Sequence, residues 1–273
     1  MIERTIPSSG ESIPVIGMGT YNTFDANEKT ATDQLTAVLN AFYQGGGRLL
    51  DSSPMYGHAE RMVGTLTSKA PYANELFYAT KVWTTGRENG IRQMDDSFSF
   101  MKRKTIDLMQ IHNLSDWKTH LPIIREWKEA GKIRYLGITH YADSSHAELE
   151  KVMRAKPIDF VQFNYSIQER HAEDRLLNVA AELGVATLIN RPFGQGRLFS
   201  HLRNLPLPDW AADWNMQSWG AFLLKYIIAH PAVTGVIPAS SNAKHVADNI
   251  KAGEGPLPDE RTRAKMVAYV QSI

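Results

Sequence analysis

The sequence predicts an α/β protein: a (β/α)8 TIM barrel with an N-terminal β-hairpin and a C-terminal helix, filling residues 1-273 as one domain. Three observations carry this expectation. Short β-rich runs alternate with longer segments of helical period. The runs number eight. No linker, charge block or low-complexity stretch interrupts the alternation. Eight such units in about 250 residues have the size of a closed barrel, because right-handed crossovers of this length force neighbouring strands to be parallel.

The elements follow in order. The opening ERTIPSSGESIPVIG reads as two short strands around Ser8-Ser9-Gly10, a hairpin placed to cap the barrel's N-terminal end. The eight strand runs are IGMGTY (16 to 21), RLLDSS (48 to 53), LFYATKV (76 to 82), IDLMQIH (106 to 112), RYLGITH (134 to 140), FVQFNY (160 to 165), VATLIN (185 to 190) and TGVIPAS (234 to 240). Helical candidates between them include ATDQLTAVLNAFYQ, HAERMVGTLTSKA, HLPIIREWKEAG, SSHAELEKVMRA and AEDRLLNVAAELG, several ending in Gly where a left-handed cap belongs. An open doubly wound sheet is the competing architecture. It is disfavoured because GGGRLL (45 to 50) precedes a strand, whereas a dinucleotide-binding glycine loop follows one and opens a helix. The closing LPDERTRAKMVAYVQSI reads as a last helix with no extended loop after it, which implies an open pocket at the strand exits.

Composition excludes several functions. The 30 Lys and Arg against 29 Asp and Glu give a net charge of +1 without a basic block, so neither nucleic acid nor an anionic membrane is an expected partner. Cysteine is absent, which removes disulfides, thiolate metal sites and thiol nucleophiles. Neither a signal-like apolar run nor a membrane-length segment is present, and the expected location is cytoplasmic.

In a barrel, chemistry gathers where strands exit at the C-terminal face. Asp51 ends the second strand, Lys81 the third and His112 the fourth, while Tyr56 in PMYGHAE lies on the bend above Asp51. Adjacent strands are about 4.8 Å apart, so these side chains can converge within roughly 10 Å. A tyrosine hydroxyl has an ordinary pKa of about 10, and a nearby ammonium stabilises the phenolate and lowers it. Lys81 supplies that charge, Asp51 keeps it charged and oriented, and His112 hydrogen-bonds a substrate oxygen beside the tyrosine. Such a set donates a proton and polarises a carbonyl, but it holds no nucleophile, electron source or metal cluster. A hydride cofactor must complete the chemistry.

The stretch Asp51-Ser52-Ser53 continuing into PMYGHAERMVG, followed by ATKVW and LMQIH, resembles the aldo-keto reductase superfamily, and the likeness covers nearly the whole chain. Members are (β/α)8 barrels that use an Asp, Tyr, Lys and His tetrad with a nicotinamide cofactor. The resemblance implies catalytic roles for Asp51, Tyr56, Lys81 and His112, with NADPH or NADH as cofactor and a small-molecule carbonyl as substrate. It places Gln162 at the nicotinamide carboxamide, with Thr139 and His140 where a Ser and an Asn are usual. In NRPFGQGRL, Asn190 stands near the position of a ring-stacking aromatic. Arg191, Pro192 and Phe193 lead into Gly194, Gln195, Gly196 and Arg197, which the resemblance sets beside the pyrophosphate. In IPASSNAKHVADN it sets Ser240, Ser241, Asn242, Lys244 and His245 near the adenosine phosphate and Asp248 and Asn249 near adenine or its ribose. Ala239 and His245 replace a Lys and an Arg common in members that favour a 2'-phosphate.

Each residue also has a plain structural explanation. Asp51 with its two serines can make an Asx turn, Lys81 can reach water from a strand end, His112 can be a satisfied interior histidine and Gln162 can fill the barrel mouth. His140 and His245 can be solvated, and Glu60 can serve its helix. Phe24, Trp83 and Trp117, on loops at the active face, can line a substrate pocket or cover the rim. Trp210, Trp214 and Trp219 read as helix-to-barrel packing. Taken together, the residues favour an NAD(P)H-dependent enzyme that reduces aldehydes or ketones, with Tyr56 as proton donor. The alternatives are a nicotinamide-binding regulatory or sensor subunit on the same barrel, and a metal hydrolase barrel, for which ligands beyond Asp51 and His112 are lacking. Nothing in the sequence specifies an oligomeric state.

Overall fold

The computed structural model describes residues 1–273. The chain opens as an antiparallel hairpin, β1 (Glu3–Thr5) and β2 (Ser12–Pro14), with Arg4 opposite Ile13. Ile6 and Ile13 of this hairpin are buried in one apolar cluster with Leu49, Phe77, Leu108, Phe160 and Leu188. That cluster is the interior of the barrel, so the hairpin plugs one end of it. The hydroxyl of Tyr135 fixes the plug, lying 2.8 Å from Ser9 Oγ and 2.5 Å from Glu11 Oε2.

Eight strands follow: β3 (Met18–Gly19), β4 (Leu49–Asp51), β5 (Phe77–Val82), β6 (Ile106–Ile111), β7 (Ile133–Thr139), β8 (Phe160–Asn164), β9 (Ala186–Asn190) and β10 (Gly235–Val236). Each pairs in parallel with the next along the chain, and isolated parallel bridges Ile16↔Val236 and Gly19↔Ala239 bring the last strand back to the first. These are the eight runs read from the sequence. Alternation sorts their side chains: Leu49, Phe77, Ala79 and Leu108 point inward, while Leu50, Tyr78, Met109 and Ile138 join the larger core beneath the helices.

The outer layer comprises α1 (Glu28–Gln44), α2 (Ala59–Thr67), α3 (Arg87–Met101), α4 (Trp117–Glu129), α5 (His146–Ala155), α6 (His171–Asp174), α7 (Leu176–Glu182), α8 (Arg197–Leu202), α9 (Trp219–Ile228), α10 (Ala243–Lys251) and the C-terminal α11 (Glu260–Gln271). Side-chain caps start several of them: Asn27 accepts from Lys29 N–H, Ser218 from Ala221 N–H, Asn242 from Lys244 N–H and Asp259 from Thr262 N–H. The helix expected over residues 172 to 184 is broken in two. Arg175 leaves helical geometry (φ −153°, ψ −51°) while its guanidinium pairs with Glu150 of α5, Nε 2.5 Å from Oε2. No helix is long and apolar enough to cross a membrane.

With the hairpin at the N-terminal end, the opposite end is left to the loops that leave the strands.

Candidate active site

Asp51 closes β4, Lys81 is the penultimate residue of β5, and His112 directly follows β6. Lys81 Nζ donates to Asp51 Oδ2 at 2.6 Å and to the Ser52 carbonyl at 2.7 Å, and its side chain is fully buried. Burial by itself pushes an ammonium down. Here the Asp51 carboxylate and the Tyr56 hydroxyl outweigh it and hold Lys81 above the ordinary lysine value. Asp51 Oδ1 faces the other way and accepts from Gln110 Nε2 and Gln162 Nε2, both at 3.0 Å.

Tyr56 is presented by a tight turn. Met55 N–H donates to Ser53 Oγ (3.2 Å) and Tyr56 N–H to the Ser53 carbonyl (3.0 Å). Gly57 follows at φ +60°, where a Cβ would lie 2.3 Å from Asp25 Oδ1. Asp25 in turn accepts from the His58 N–H at 2.8 Å, so the glycine and this aspartate together fix the bend. The Tyr56 ring centroid is 5.0 Å from Lys81 Nζ and 5.7 Å from the His112 ring, which it meets edge-on at 87°. Desolvation pushes the Tyr56 hydroxyl above the ordinary phenol range, against the downward pull of Lys81. The net direction is therefore opposite to the lowering read from the sequence: at this half-buried position the cost of a buried phenolate exceeds the lysine's attraction.

His112 Nδ1 is 2.9 Å from Ser53 Oγ. Burial pushes the imidazole down to about 3, with the charge of Lys81 and the neighbouring His140 acting in the same direction, so the ring is neutral around pH 7. The backbone beyond it is left-handed at Asn113, Leu114 and Asp116, with φ of 54°, 53° and 44°.

Four large apolar side chains remain exposed on loops leaving the strands: Tyr21 after β3, Met55 after β4, Trp83 after β5 and Tyr141 after β7. The Tyr21 ring lies 5.0 Å from Tyr56, and the Trp83 ring 6.3 Å from His112. Gln93 of α3 clamps Trp83, accepting its N–H at 2.5 Å and donating to its carbonyl at 3.2 Å. One expectation for this rim is corrected. Phe24 is fully buried in the outer core, where it offers no surface to a ligand. Trp117, half-buried at the start of α4, borders a depression with Leu121, Pro122, Arg125 and Lys156.

The remaining assigned residues divide between the barrel mouth and α10. Thr139 Oγ1 donates to Gln162 Oε1 at 3.3 Å, Asn190 Nδ2 donates to the His140 carbonyl at 3.1 Å, and Asn190 Oδ1 is buried without a partner. His140 stacks on Tyr141 (5.2 Å), and the Arg191 guanidinium covers the same Tyr141 ring at 4.1 Å. Pro192 leads to Phe193, which packs on Phe199. The N–H groups of Gly194 and Gly196 are already engaged by the Arg191 and Phe193 carbonyls, and Arg197 pairs with Glu169 at 3.3 Å. At the start of α10, Asn242 N–H donates to Ser240 Oγ, and Ala239, Ser241, Lys244 and His245 are exposed. Asp248 accepts from Ser218 at 2.5 Å, tying α10 to the cap of α9, beside buried Asn249. No three His, Asp or Glu side chains are grouped to hold a metal ion.

Sequence reasoning did not single out Asp25, Gln93, Gln110, Tyr21, Met55 or Tyr141. Glu60, read as serving its helix, accepts from Thr80 Oγ1 of β5 at 2.5 Å, and burial raises its pKa. What converges at this face is a phenol, a buried ammonium–carboxylate pair and a neutral imidazole, a constellation able to deliver a proton to a polarised oxygen.

The sequence matches the Aldo/keto reductase family over residues 15–265. Among relatives, aldo-keto reductase str7 of Strobilurus tenacellus is 26% identical, the match covering 85% of this chain and 80% of the relative. The glyoxal reductase of Bacillus subtilis (strain 168) is 24% identical over 88% of this chain and 83% of its own. Among solved structures, an aldo-keto reductase from Klebsiella pneumoniae in complex with NADPH superposes with a TM-score of 0.81 at 22% identity, covering 99% of this chain and 96% of that one.

Proposed function

The chain belongs to the aldo/keto reductase family and is an NAD(P)H-dependent oxidoreductase, and from that premise we propose that it reduces aldehyde or ketone groups with Tyr56 as the proton donor. The observation that carries the reading is the placement of Lys81: its Nζ is 2.6 Å from Asp51 and 5.0 Å from the Tyr56 ring. A phenol whose pKa is pushed up by burial keeps its proton at neutral pH, as an acid must before it acts. The adjacent ammonium stabilises the phenolate that forms when the proton leaves.

His112 orients the carbonyl. Ser53 Oγ, which accepts from Met55 N–H, donates its O–H in a hydrogen bond to His112 Nδ1, so the neutral ring carries its N–H at Nε2, facing the substrate oxygen. Two donors then meet one oxygen, and charge developing there is stabilised where water is largely excluded. The nicotinamide, when bound, supplies hydride to the carbonyl carbon.

The residues present fit that cofactor. Asn190 Oδ1, buried and unpartnered, offers an acceptor for the carboxamide N–H, next to Gln162, Thr139 and His140. The N-terminus of α10, with Ser240, Ser241, Asn242, Lys244 and His245, would hold the adenosine phosphate, and Asn249 would lie towards adenine. Both NADPH and NADH are accepted, since Ala239 provides no cation. Tyr21, Met55, Trp83 and Tyr141 surround the reacting oxygen with flat or flexible apolar surface, suited to compact aldehydes, α-dicarbonyls and quinone-like carbonyls. In support, one relative is named a glyoxal reductase.

The deciding experiment follows loss of NADPH absorbance with a panel of such carbonyls and purified chain. Turnover that requires Tyr56 supports the reading. Tight NADPH binding with no turnover of any carbonyl would instead mark a cofactor-binding subunit.

A further inference from the structure

Beyond the tetrad, the barrel interior holds a fully buried glutamine that its position as a strand residue does not explain. Gln110 lies in register with Lys81 on β5 and with Gly137 on β7, so it shares the inward face with both. Its Nε2 donates to Asp51 Oδ1 at 3.0 Å, and its Oε1 accepts from Gln162 Nε2 at 3.1 Å. The neighbouring strand is shaped to admit it. A Cβ on Gly137 would stand 3.1 Å from Gln110 Cγ and 3.0 Å from the Phe160 carbonyl, so a larger residue there would displace the amide.

Two consequences follow from donor and acceptor counting. Asp51 Oδ2 is taken by Lys81, and Oδ1 has only the amides of Gln110 and Gln162. Removing Gln110 leaves a buried carboxylate oxygen with one donor instead of two. The Gln162 amide nitrogen is likewise occupied by Asp51 Oδ1 and Gln110 Oε1, which turns its carbonyl oxygen towards Thr139 and Asn190 at the mouth. Which end of that amide meets a ligand is thus decided two strands away.

We propose that Gln110 is a positioning residue of this site: it braces Asp51 against Lys81 and fixes the Gln162 amide with its oxygen facing the mouth. It touches no substrate. Its effect reaches the proton donor through Asp51 and Lys81, and the cofactor pocket through Gln162. The proposal rests on the functional reading above for its turnover arm but not for its binding arm.

The test compares Gln110→Met and Gln110→Glu with the parent, measuring kcat and carbonyl KM across pH and NADPH affinity by fluorescence titration. Gln110→Met keeps the volume and removes both hydrogen bonds. Its kcat should fall about tenfold with KM nearly unchanged, and its NADPH dissociation constant should rise about fivefold as the Gln162 amide loses its lock. Gln110→Glu places a second carboxyl against Asp51 Oδ1, and such a pair holds one proton well above the ordinary carboxylate range. The charged and titratable groups around it are Asp51 of β4, Lys81 of β5, Tyr56 and His112 at the mouth, and Glu60 behind Lys81. Protonated, the new carboxyl can donate to Asp51 as the amide did; ionised, it cannot. This variant should therefore work near the parental rate at low pH and lose turnover as pH rises, a profile that a merely structural role would not produce. Parental kcat and NADPH affinity in Gln110→Met, or a parental pH profile in Gln110→Glu, would overturn the proposal. If the parent turns over no carbonyl, the functional reading falls and the NADPH affinities alone decide on Gln110. If the parent does not bind NADPH, both fall.

Discussion

Lys81 Nζ and Asp51 Oδ2 are 2.6 Å apart, with neither side chain more than 2% exposed. At that burial, breaking the pair is costlier than deleting it, because a lone carboxylate or ammonium has lost its water without gaining a counter-charge. Lys81→Met alone should destabilise the fold by about 3–5 kcal/mol. Adding Asp51→Asn should recover much of that loss while leaving the enzyme inactive. Urea unfolding of the single and double variants measures this, and a double variant no more stable than Lys81→Met would mean that the pair is not held as ions.

Tyr56→Phe removes the hydroxyl and little else. NADPH affinity should remain within about twofold of the parent, while kcat for carbonyl reduction drops at least a hundredfold, ~2.7 kcal/mol of lost transition-state stabilisation. Retention of more than about a tenth of parental turnover, a deficit of only ~1.4 kcal/mol, would transfer the acid's role to another group.

The His112 imidazole is pushed down to about 3 by burial, whereas an unfolded histidine titrates near 6.5. The unfolded chain therefore binds the extra proton first, and stability contributed by neutral His112 is full above about pH 6.5 and lost as pH falls towards 3. Between pH 7 and 5 the loss amounts to about 2 kcal/mol from this residue. His112→Gln should flatten the pH dependence of stability over that window by a similar amount. Equal slopes for parent and variant would show that His112 charges in the folded protein.

The eight strands were legible because each is a short β-rich run between helical segments, and the strand-end residues because a barrel collects them at one face. Less legible was α3, whose inward side is only Gly90, Met94, Ser97 and Met101 on an otherwise polar segment. Asp25 and Gln93 act through hydrogen bonds to backbone, at His58 and Trp83, which no side-chain pattern announces. Gln110 looked like one polar residue in an apolar strand, since its partners come from β4 and β8. The direction of the Tyr56 shift needed a depth of burial that sequence does not carry. Phe24 failed for the same kind of reason: which way a loop aromatic turns depends on the packing beneath it.

In the proposed reading, cofactor choice is made at the start of α10. A 2'-phosphate carries up to two negative charges and is best held by charge-assisted hydrogen bonds, with the forked guanidinium of arginine favoured. The first residue of this stretch, Ala239, has no polar side chain, and the Asn242 side-chain oxygen is engaged in capping the helix through Lys244 N–H at 2.9 Å. What is left is the Ser240 and Ser241 hydroxyls, the helix N-terminus, and exposed Lys244 and His245. Asp248, which would repel a phosphate, is turned to Ser218 of the α9 cap. Attraction without a fork should give the parent a preference for NADPH over NADH of about tenfold or less, ~1.4 kcal/mol. His245→Arg should raise that preference by a further tenfold or so, and Ala239→Lys should add to it, both through cofactor affinity with kcat little changed. Catalytic efficiencies and dissociation constants for both cofactors provide the check. A parental preference above about a hundredfold, ~2.7 kcal/mol, would mean that other cations already hold the phosphate.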